Sequence, residues 1–259
     1  MKKSHLLGKL QRLVSQLGGA IAFYTCLPIP HAWPLEFARI ARWAPLIGLL
    51  IGASLGLADE LLQLVKMPIL TRSAVIVGFW ILLTGGLHLD GAMDTADGLA
   101  VPNPERRLEV MADSRTGAFG VMAAIAIFTL KTSALANLES HRILALMAVA
   151  GWGRWGQLVA IAQYPYLKPA GKGAFHKATI QLPWDFLPGL MLLLSLAEIQ
   201  FLLDSTQWLL AIVTIVSGSA IAFGIGAWLH HKMGGHTGDT YGAIVEWTEA
   251  LMLCCLTTL

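Results

Sequence analysis

Asp90, Asp94 and Asp97 stand four and three residues apart in the stretch TGGLHLDGAMDTADGLA. On an α-helix, positions i, i+4 and i+7 share one face. Three carboxylates on one stripe repel each other unless a cation lies among them. Hard divalent cations such as Mg²⁺ take oxygen ligands and commonly bridge carboxylates to substrate phosphates. The spacing therefore points to a Mg²⁺ site that holds a nucleotide diphosphate. The plainer reading is a helix end whose acids face water. His88 borders the stripe. Its nitrogens suit Mg²⁺ poorly, so it reads as a supporting or interfacial hydrogen-bonding group.

Downstream, PERRLEVMADSRTGAFG begins a short amphipathic helix near Arg106 and Arg107, with Leu108 and Met111 facing inward. Arg115 has the side chain for bidentate phosphate contact. Asp113 can complete the metal set, act as a base, or cap the helix that starts near Gly117. The last polar loop, HHKMGGHTGDTYGAIVEWTEALM, places Gly234, Gly235, Thr237, Gly238 and Asp239 just before the final helix. A glycine-rich loop entering a helix N-terminus presents backbone N–H groups to an anion. A plain turn is the commoner explanation, and no Walker A lysine is present.

Glu246 and Glu249 lie i, i+3 in the first turns of that apolar helix. Ionisable groups at such depth line a polar cavity or pair with a cation. Arg154, in GWGRWG, is the candidate partner. Lys131 can do the same, but for a lone lysine snorkelling to the interface is the simpler account. Lys168, Lys172, His176 and Lys177 form a basic stretch that reads as a solvated loop, with a lid over an anionic substrate as the alternative.

Something must hold these groups at one place. The 259-residue chain is 56% hydrophobic and 13% charged, against about 25% charged in an ordinary soluble domain. Its mean hydropathy is +0.64. That excludes a disordered chain and a typical soluble enzyme. The net charge of +2 gives no reason to expect a nucleic-acid partner. Cys26, Cys254 and Cys255 form neither a CxxC pair nor a disulfide framework. Seven stretches approach the ~20 apolar residues that cross a bilayer: roughly 43–65, 73–89, 117–138, 143–163, 186–203, 207–229 and 241–258. Residues 13–30 read as an interfacial amphipathic helix within an N-terminal segment 1–42. Several of the nine tryptophans fall near span ends, as an aromatic belt would place them. The expected fold is all-α: a polytopic membrane helical bundle of about seven transmembrane helices in one catalytic domain, 1–259.

With the N-terminus inside, 13 of 18 Lys/Arg fall on the cytoplasmic side and 3 on the other. The positive-inside rule favours that orientation. It puts segments 90–116, 164–185 and 230–240 on one face. Nine of the 16 acids crowd into two short windows there, Asp90–Asp113 and Asp239–Glu249. A solvated surface would scatter them.

The motifs FYTCLPIP, GGLHLDGAMDTADGL, MADSRTGAFG and GGHTGDTYGAIVEWTE, in this order, make the chain resemble the cobalamin synthase family of adenosylcobinamide-GDP ribazoletransferases. Met93 is larger than that pattern leads one to expect and lies off the aspartate stripe. The resemblance implies a Mg²⁺-dependent enzyme of the bacterial inner membrane, working on its cytoplasmic face in cobalamin biosynthesis. It would join adenosylcobinamide-GDP to α-ribazole, or to α-ribazole 5′-phosphate, and release GMP. On that basis Asp90, Asp94 and Asp97 would hold the metal, and Arg115 would clamp phosphate. Asp113 or Asp239 would take the hydroxyl proton. His88, Arg154, Gly234, Gly235, Thr237, Gly238, Glu246 and Glu249 would contact substrate. Other corrin-assembly enzymes are candidate partners. The competing readings are another membrane phosphotransferase acting on a nucleotide-activated substrate, and an ion-coupled transporter. A CDP-alcohol phosphatidyltransferase signature fails at Met93–Asp94, and a transporter's acids would sit nearer the bilayer centre.

Overall fold

The computed structural model describes residues 2–138, 141–168, 171 and 173–258. Eleven α-helices follow one another: α1 (Lys2–Tyr24), α2 (Ala44–Leu64), α3 (Ile69–Leu83), α4 (Leu87–Ala100), α5 (Arg107–Val110), α6 (Ala118–Asn137), α7 (Arg142–Gln163), α8 (Ala174–Thr179), α9 (Leu187–Leu203), α10 (Trp208–Met233) and α11 (Gly238–Leu256). Among the described residues the only β contact noted is an isolated parallel bridge, Tyr166 to His236.

The seven expected apolar stretches coincide with α2, α3, α6, α7, α9, α10 and α11. Four helices are long and apolar enough to cross a membrane: Ile40–Leu64, Ala118–Asn137, Arg142–Gln163 and Trp208–Met233. The chain is a helical membrane protein with, among the described residues, four candidate spans, or five if α3 and α4 count as one bent span. The expected seven included three weaker helices. Helix α9 has only 17 residues, and α11 carries Asp239, Glu246 and Glu249. The stretch 73–89 runs through Gly85 and Gly86, which both take positive φ, +62° and +67°. Glycine adopts that left-handed conformation without steric cost, so α3 stops there and α4 leaves at 91°. The N-terminal helix begins earlier than the expected 13–30, at Lys2, stops short of it, at Tyr24, and is not among the helices apolar enough to span. Its Ala20 and Tyr24 are buried against the bundle.

Helix α7 is the centre. Every residue from Ala148 to Ile161 is buried, as expected of a helix surrounded on all sides. Helix α2 docks on it through Gly48, Gly52 and Gly56, spaced four apart. A β-carbon at any of the three would fall within 3 Å of α7 atoms. Small residues at this spacing let apolar helices approach closely.

Direct contacts chain the polar segments together at one end. Arg39 pairs with Asp185 at 2.6 Å, and Lys168 with Asp239 at 3.0 Å. Arg107 donates to the Lys232 carbonyl at 2.7 Å. The expectation that segments 1–42, 90–116, 164–185 and 230–240 share a face is met. A second ion cluster lies elsewhere in the bundle: Arg142 grips Asp59 through two 2.7 Å hydrogen bonds, and Arg72 lies 3.3 Å from the same carboxylate.

Candidate active site

Helices α4 and α11 cross at two glycines. A β-carbon at Gly91 would lie 2.7 Å from the Asp239 carbonyl oxygen, and one at Gly242 would lie 2.7 Å from the His88 carbonyl oxygen. Backbone-to-backbone contact is what sets Asp90, at the start of α4, beside Asp239, in the first turn of α11. Thr237 caps α11: its hydroxyl accepts the Thr240 N–H, while the Thr240 hydroxyl accepts the Thr237 N–H at 2.8 Å. This reciprocal capping box fixes the direction in which Asp239 enters.

Asp90 and Asp239 line one cleft, together with Phe23, His88, Gln157, Gly173, His176, Gly238 and Tyr241. Asp94, one turn along α4, feels the crowding. Burial first, then the negative charges of Asp90, Asp239 and Asp97, push its pKa up to about 6. Lys168 offsets part of that charge through its ion pair with Asp239. So the basic stretch, which read by default as a solvated loop, delivers one ammonium to the site. Lys177 instead caps the end of α7, donating to the Ile161 and Ala162 carbonyls. His176 is buried, and Lys172 lies outside the described residues.

The aspartate stripe forms on α4 as the spacing requires, but its third member is engaged elsewhere. Asp97 accepts the Gly117 N–H at 2.7 Å and the Gly120 N–H at 2.8 Å. It thereby caps the N-terminus of α6, the role that sequence proximity offered to Asp113. Asp113 binds Arg115 instead, through the backbone N–H at 3.0 Å and the guanidinium at 2.6 Å. These hydrogen bonds hold its carboxyl down to about 2. Arg115 is 88% exposed in this pair.

The donor chemistry suits a hard divalent cation: the candidates are oxygen ligands whose mutual repulsion is already expressed at Asp94. Among the described residues no three His, Cys, Asp or Glu side chains converge as a ready chelate. A Mg²⁺ ion placed here would need substrate phosphate and water to complete its coordination.

The glycine-rich loop is only partly a cradle. Gly234 takes φ +81°. Gly235 is packed, since a β-carbon there would lie 2.7 Å from the Pro165 carbonyl. Gly238 has room: a β-carbon there would make only ordinary contacts, 3.8 Å to the Gly173 nitrogen and 4.0 Å to the Tyr166 hydroxyl. The Tyr166 ring reaches this loop: its hydroxyl would lie 2.9 Å from a β-carbon at Gly173 and 4.0 Å from one at Gly238.

Glu246, Glu249 and Arg154 lie deeper. Arg154 donates to Glu249 at 2.7 Å, as expected of that pair. The Lys131 ammonium sits between Glu246 and Glu249, at 2.6 and 2.5 Å, and 4.3 Å from the Trp80 ring. The snorkelling account of Lys131 is therefore wrong: two carboxylates in the interior hold it there. All four side chains are at most 6% exposed. They form a neutral internal cluster that ties α11 to α6 and α7.

Sequence reasoning missed Tyr24, Gln157 and Tyr241, each buried around the cleft and each contributed by a different helix. The usable signals were Tyr24, inside FYTCLPIP, and Tyr241, inside GGHTGDTYGAIVEWTE.

The model of the cobalamin-5-phosphate synthase family matches residues 16–257. The chain is 58% identical over 247 residues to the adenosylcobinamide-GDP ribazoletransferase of Trichormus variabilis, covering 95% of this chain and 98% of that protein. It is 54% identical over 244 residues to the enzyme of that name from Synechococcus sp., covering 94% and 96%. A Prochlorococcus marinus protein of the same name is 39% identical over 251 residues, covering 94% and 95%. No solved structure matches it. With the family model matched over nearly the whole chain and the aspartate and glycine motifs meeting at one cleft, the protein belongs to the cobalamin-5-phosphate synthase family.

Proposed function

We propose that this protein transfers the cobinamide phosphate of adenosylcobinamide-GDP to α-ribazole, or to its 5′-phosphate, with release of GMP. The observation that supports this most directly is the meeting of Asp90 and Asp239 at one cleft from opposite halves of the chain. A ribose hydroxyl of the acceptor attacks the phosphorus on the cobinamide side of the diphosphate. The bond from that phosphorus to the bridging oxygen breaks, and GMP leaves with the oxygen. Asp239 receives the hydroxyl proton. Asp113 is the weaker candidate for that role, because Arg115 holds it near pKa 2 and a base so acidic has little drive to take a proton. Lys168, beside Asp239, supplies positive charge to the departing phosphate.

Asp90 and Asp94, with Asp239 nearby, would hold Mg²⁺, and Asp97 would support the stripe from behind. When bound, Mg²⁺ supplies charge neutralisation of the diphosphate and its leaving group. Phosphoryl transfer needs mainly positioning and charge neutralisation, and this cleft has the groups for both. The site would open to the cytoplasm at the inner membrane, on the 13 to 3 division of Lys/Arg.

The test is to incubate the purified protein with adenosylcobinamide-GDP and α-ribazole, with and without Mg²⁺, and measure GMP. Stoichiometric GMP and cobalamin only with Mg²⁺ is the expected result. Absence of both products with Mg²⁺ present overturns the reading. Reporter fusions after Arg115 and after Lys232 should both report a cytoplasmic location.

A further inference from the structure

The cleft extends past the carboxylates into the protein, and its inner wall has chemistry that phosphate transfer does not use. His88, Gln157, His176 and Tyr241 line it, and each is no more than 4% exposed. Their polar atoms stand unpaired: both ring nitrogens of His88, both of His176, the Gln157 Oε1 and the Tyr241 hydroxyl. Beside them the Tyr24 hydroxyl is also buried without a partner. Buried polar groups are nearly always hydrogen-bonded, and each one left alone costs free energy. Four such side chains from α4, α7, α8 and α11 around one cavity, with a fifth from α1 stacked on two of them, is an unusual concentration.

The wall is also aromatic and uncharged. The Tyr24 ring lies nearly parallel to those of His88 and His176, at 6.1 and 6.2 Å between centroids, and Phe23 meets His176 edge-on at 5.0 Å. Burial keeps His176 neutral by pushing its pKa down to about 4. The cavity holds about 90 Å³, more than one or two waters need. Apolar rings carrying a few uncharged hydrogen-bonding groups are the chemistry that binds a flat, neutral nitrogen heterocycle.

Two nucleosides take part in the proposed reaction, so two heterocycles are available: guanine and the benzimidazole of ribazole. The mouth separates them. It carries Asp90 and Asp239, which accept hydrogen bonds from ribose hydroxyls. In the proposed reaction Asp239 takes the proton of the acceptor's ribose hydroxyl, so the nucleoside whose ribose lies at this mouth is the acceptor.

We infer that the inner end of this cleft, walled by His88, Gln157, His176 and Tyr241 with Tyr24 stacked on the two histidines, is the binding pocket for the aromatic base of the acceptor nucleoside. The inference rests on the proposed transfer reaction for the identity of the ligand. It makes these five residues determinants of acceptor specificity, with the ribose left at the mouth beside Asp239.

The experiment uses the full-length protein in detergent or nanodiscs. His176→Phe fills the cavity, and Tyr241→Phe removes only a hydroxyl. Both variants are assayed for KM toward α-ribazole and, separately, toward adenosylcobinamide-GDP, with size-exclusion elution as the check on folding. In parallel, benzimidazole binding to the wild-type protein is measured by tryptophan fluorescence without any donor. The expected result is a KM for α-ribazole raised at least 10-fold in His176→Phe and several-fold in Tyr241→Phe, with the donor KM unchanged. Benzimidazole should bind the wild type and fail to bind His176→Phe. A rise in the donor KM alone would assign the pocket to guanine and overturn the inference. No change in either KM for a folded variant would leave the cavity to water and overturn it too. A wild type that binds benzimidazole yet releases no GMP would sink the proposed reaction while upholding the pocket. Should His176→Phe fail to fold, Tyr241→Phe and the wild-type binding measurement decide the matter.

Discussion

Asp97 reaches 20 residues along the chain to accept the Gly117 N–H at 2.7 Å, and with it the Gly120 N–H. A carboxylate placed there meets the positive end of the α6 dipole and two free N–H donors. This divides the aspartate stripe by function. Asp90→Asn and Asp94→Asn keep the shape and remove charge from the cleft, so each is expected to cut turnover by about 100-fold or more, roughly 2.7 kcal/mol of barrier. Asp97→Asn keeps one acceptor for the cap and should cost about 1 kcal/mol of stability, with a smaller loss of turnover. Turnover and thermal unfolding of the three variants, with and without Mg²⁺, check the division. Near-normal activity in Asp90→Asn and Asp94→Asn would remove the metal site.

The close crossing of α4 and α11 is expected to be intolerant of even one added carbon. At Gly91 a β-carbon would sit 2.7 Å from a backbone oxygen and 2.9 Å from the Asp239 Cα, neither of which can move aside alone. Gly91→Ala should separate the helices, lower the melting temperature and reduce kcat/KM by at least ~10-fold, because small misplacements of reacting groups cost heavily. Gly224→Ala is the control, since nothing lies within 4 Å of its β-carbon position. Equal behaviour of the two variants would mean that the crossing is not what positions Asp239.

Lys131 is held between two carboxylates in the interior. Removing one partner of a buried ion cluster leaves uncompensated charge and costs about 3–5 kcal/mol. Lys131→Met is therefore expected to lower the melting temperature sharply. The double variant Lys131→Met with Glu246→Gln restores neutrality, since Arg154 still pairs with Glu249, and should recover much of the loss. Unfolding followed by fluorescence in detergent measures both. A double variant no more stable than the single one would show that charge balance is not the cause.

The parts legible in the sequence are those set by local spacing. The i, i+4, i+7 stripe of α4, the apolar helices, and the polar loops gathered on one face all follow from periodicity and charge. The bend after α3 was missed, because an apolar stretch continues through Gly85–Gly86 even though two left-handed residues stop the helix. The cap of α6 and the Lys131 cluster depend on which helices become neighbours, and no local pattern encodes that. The cleft wall was the least legible. Tyr24, Gln157, His176 and Tyr241 come from four helices, and each alone is an ordinary core residue.

Two buried histidines outside the spans make the protein acid-sensitive. Burial pushes His176 and His236 down to about 4, while an unfolded histidine titrates near 6.5. Below that value the unfolded chain binds protons that the folded chain does not. Stability is therefore intact above about pH 6.5 and falls as the pH drops toward 4, on the order of 1–3 kcal/mol for each group. Melting temperatures measured from pH 8 to pH 4.5 should be flat at first and then decline below about 6.5. A profile that stays flat down to pH 4.5 would show that neither imidazole is held neutral.

The glycine-rich loop provides the sharpest separation of structure from function. Gly235 packs against the Pro165 carbonyl and Leu167, whereas Gly238 lines the cleft and has room for a β-carbon at ordinary contact distance. Gly235→Ala must displace backbone, so it is expected to lower the melting temperature. Gly238→Val meets no protein atom nearer than 3.8 Å at its Cβ, and its methyls reach toward the space that substrate would occupy beside Asp239. That variant should insert and melt like the wild type, yet lose at least ~10-fold in kcat/KM. Its position suits this outcome because α11 begins there with a sound cap, Thr237 and Thr240, which do not depend on residue 238 being glycine. Melting temperature and kinetics of the two variants should thus move in opposite patterns. If Gly238→Val keeps full kcat/KM in a well-folded protein, substrate does not approach the α11 terminus, and the reacting phosphate must lie further along α4, toward Asp94.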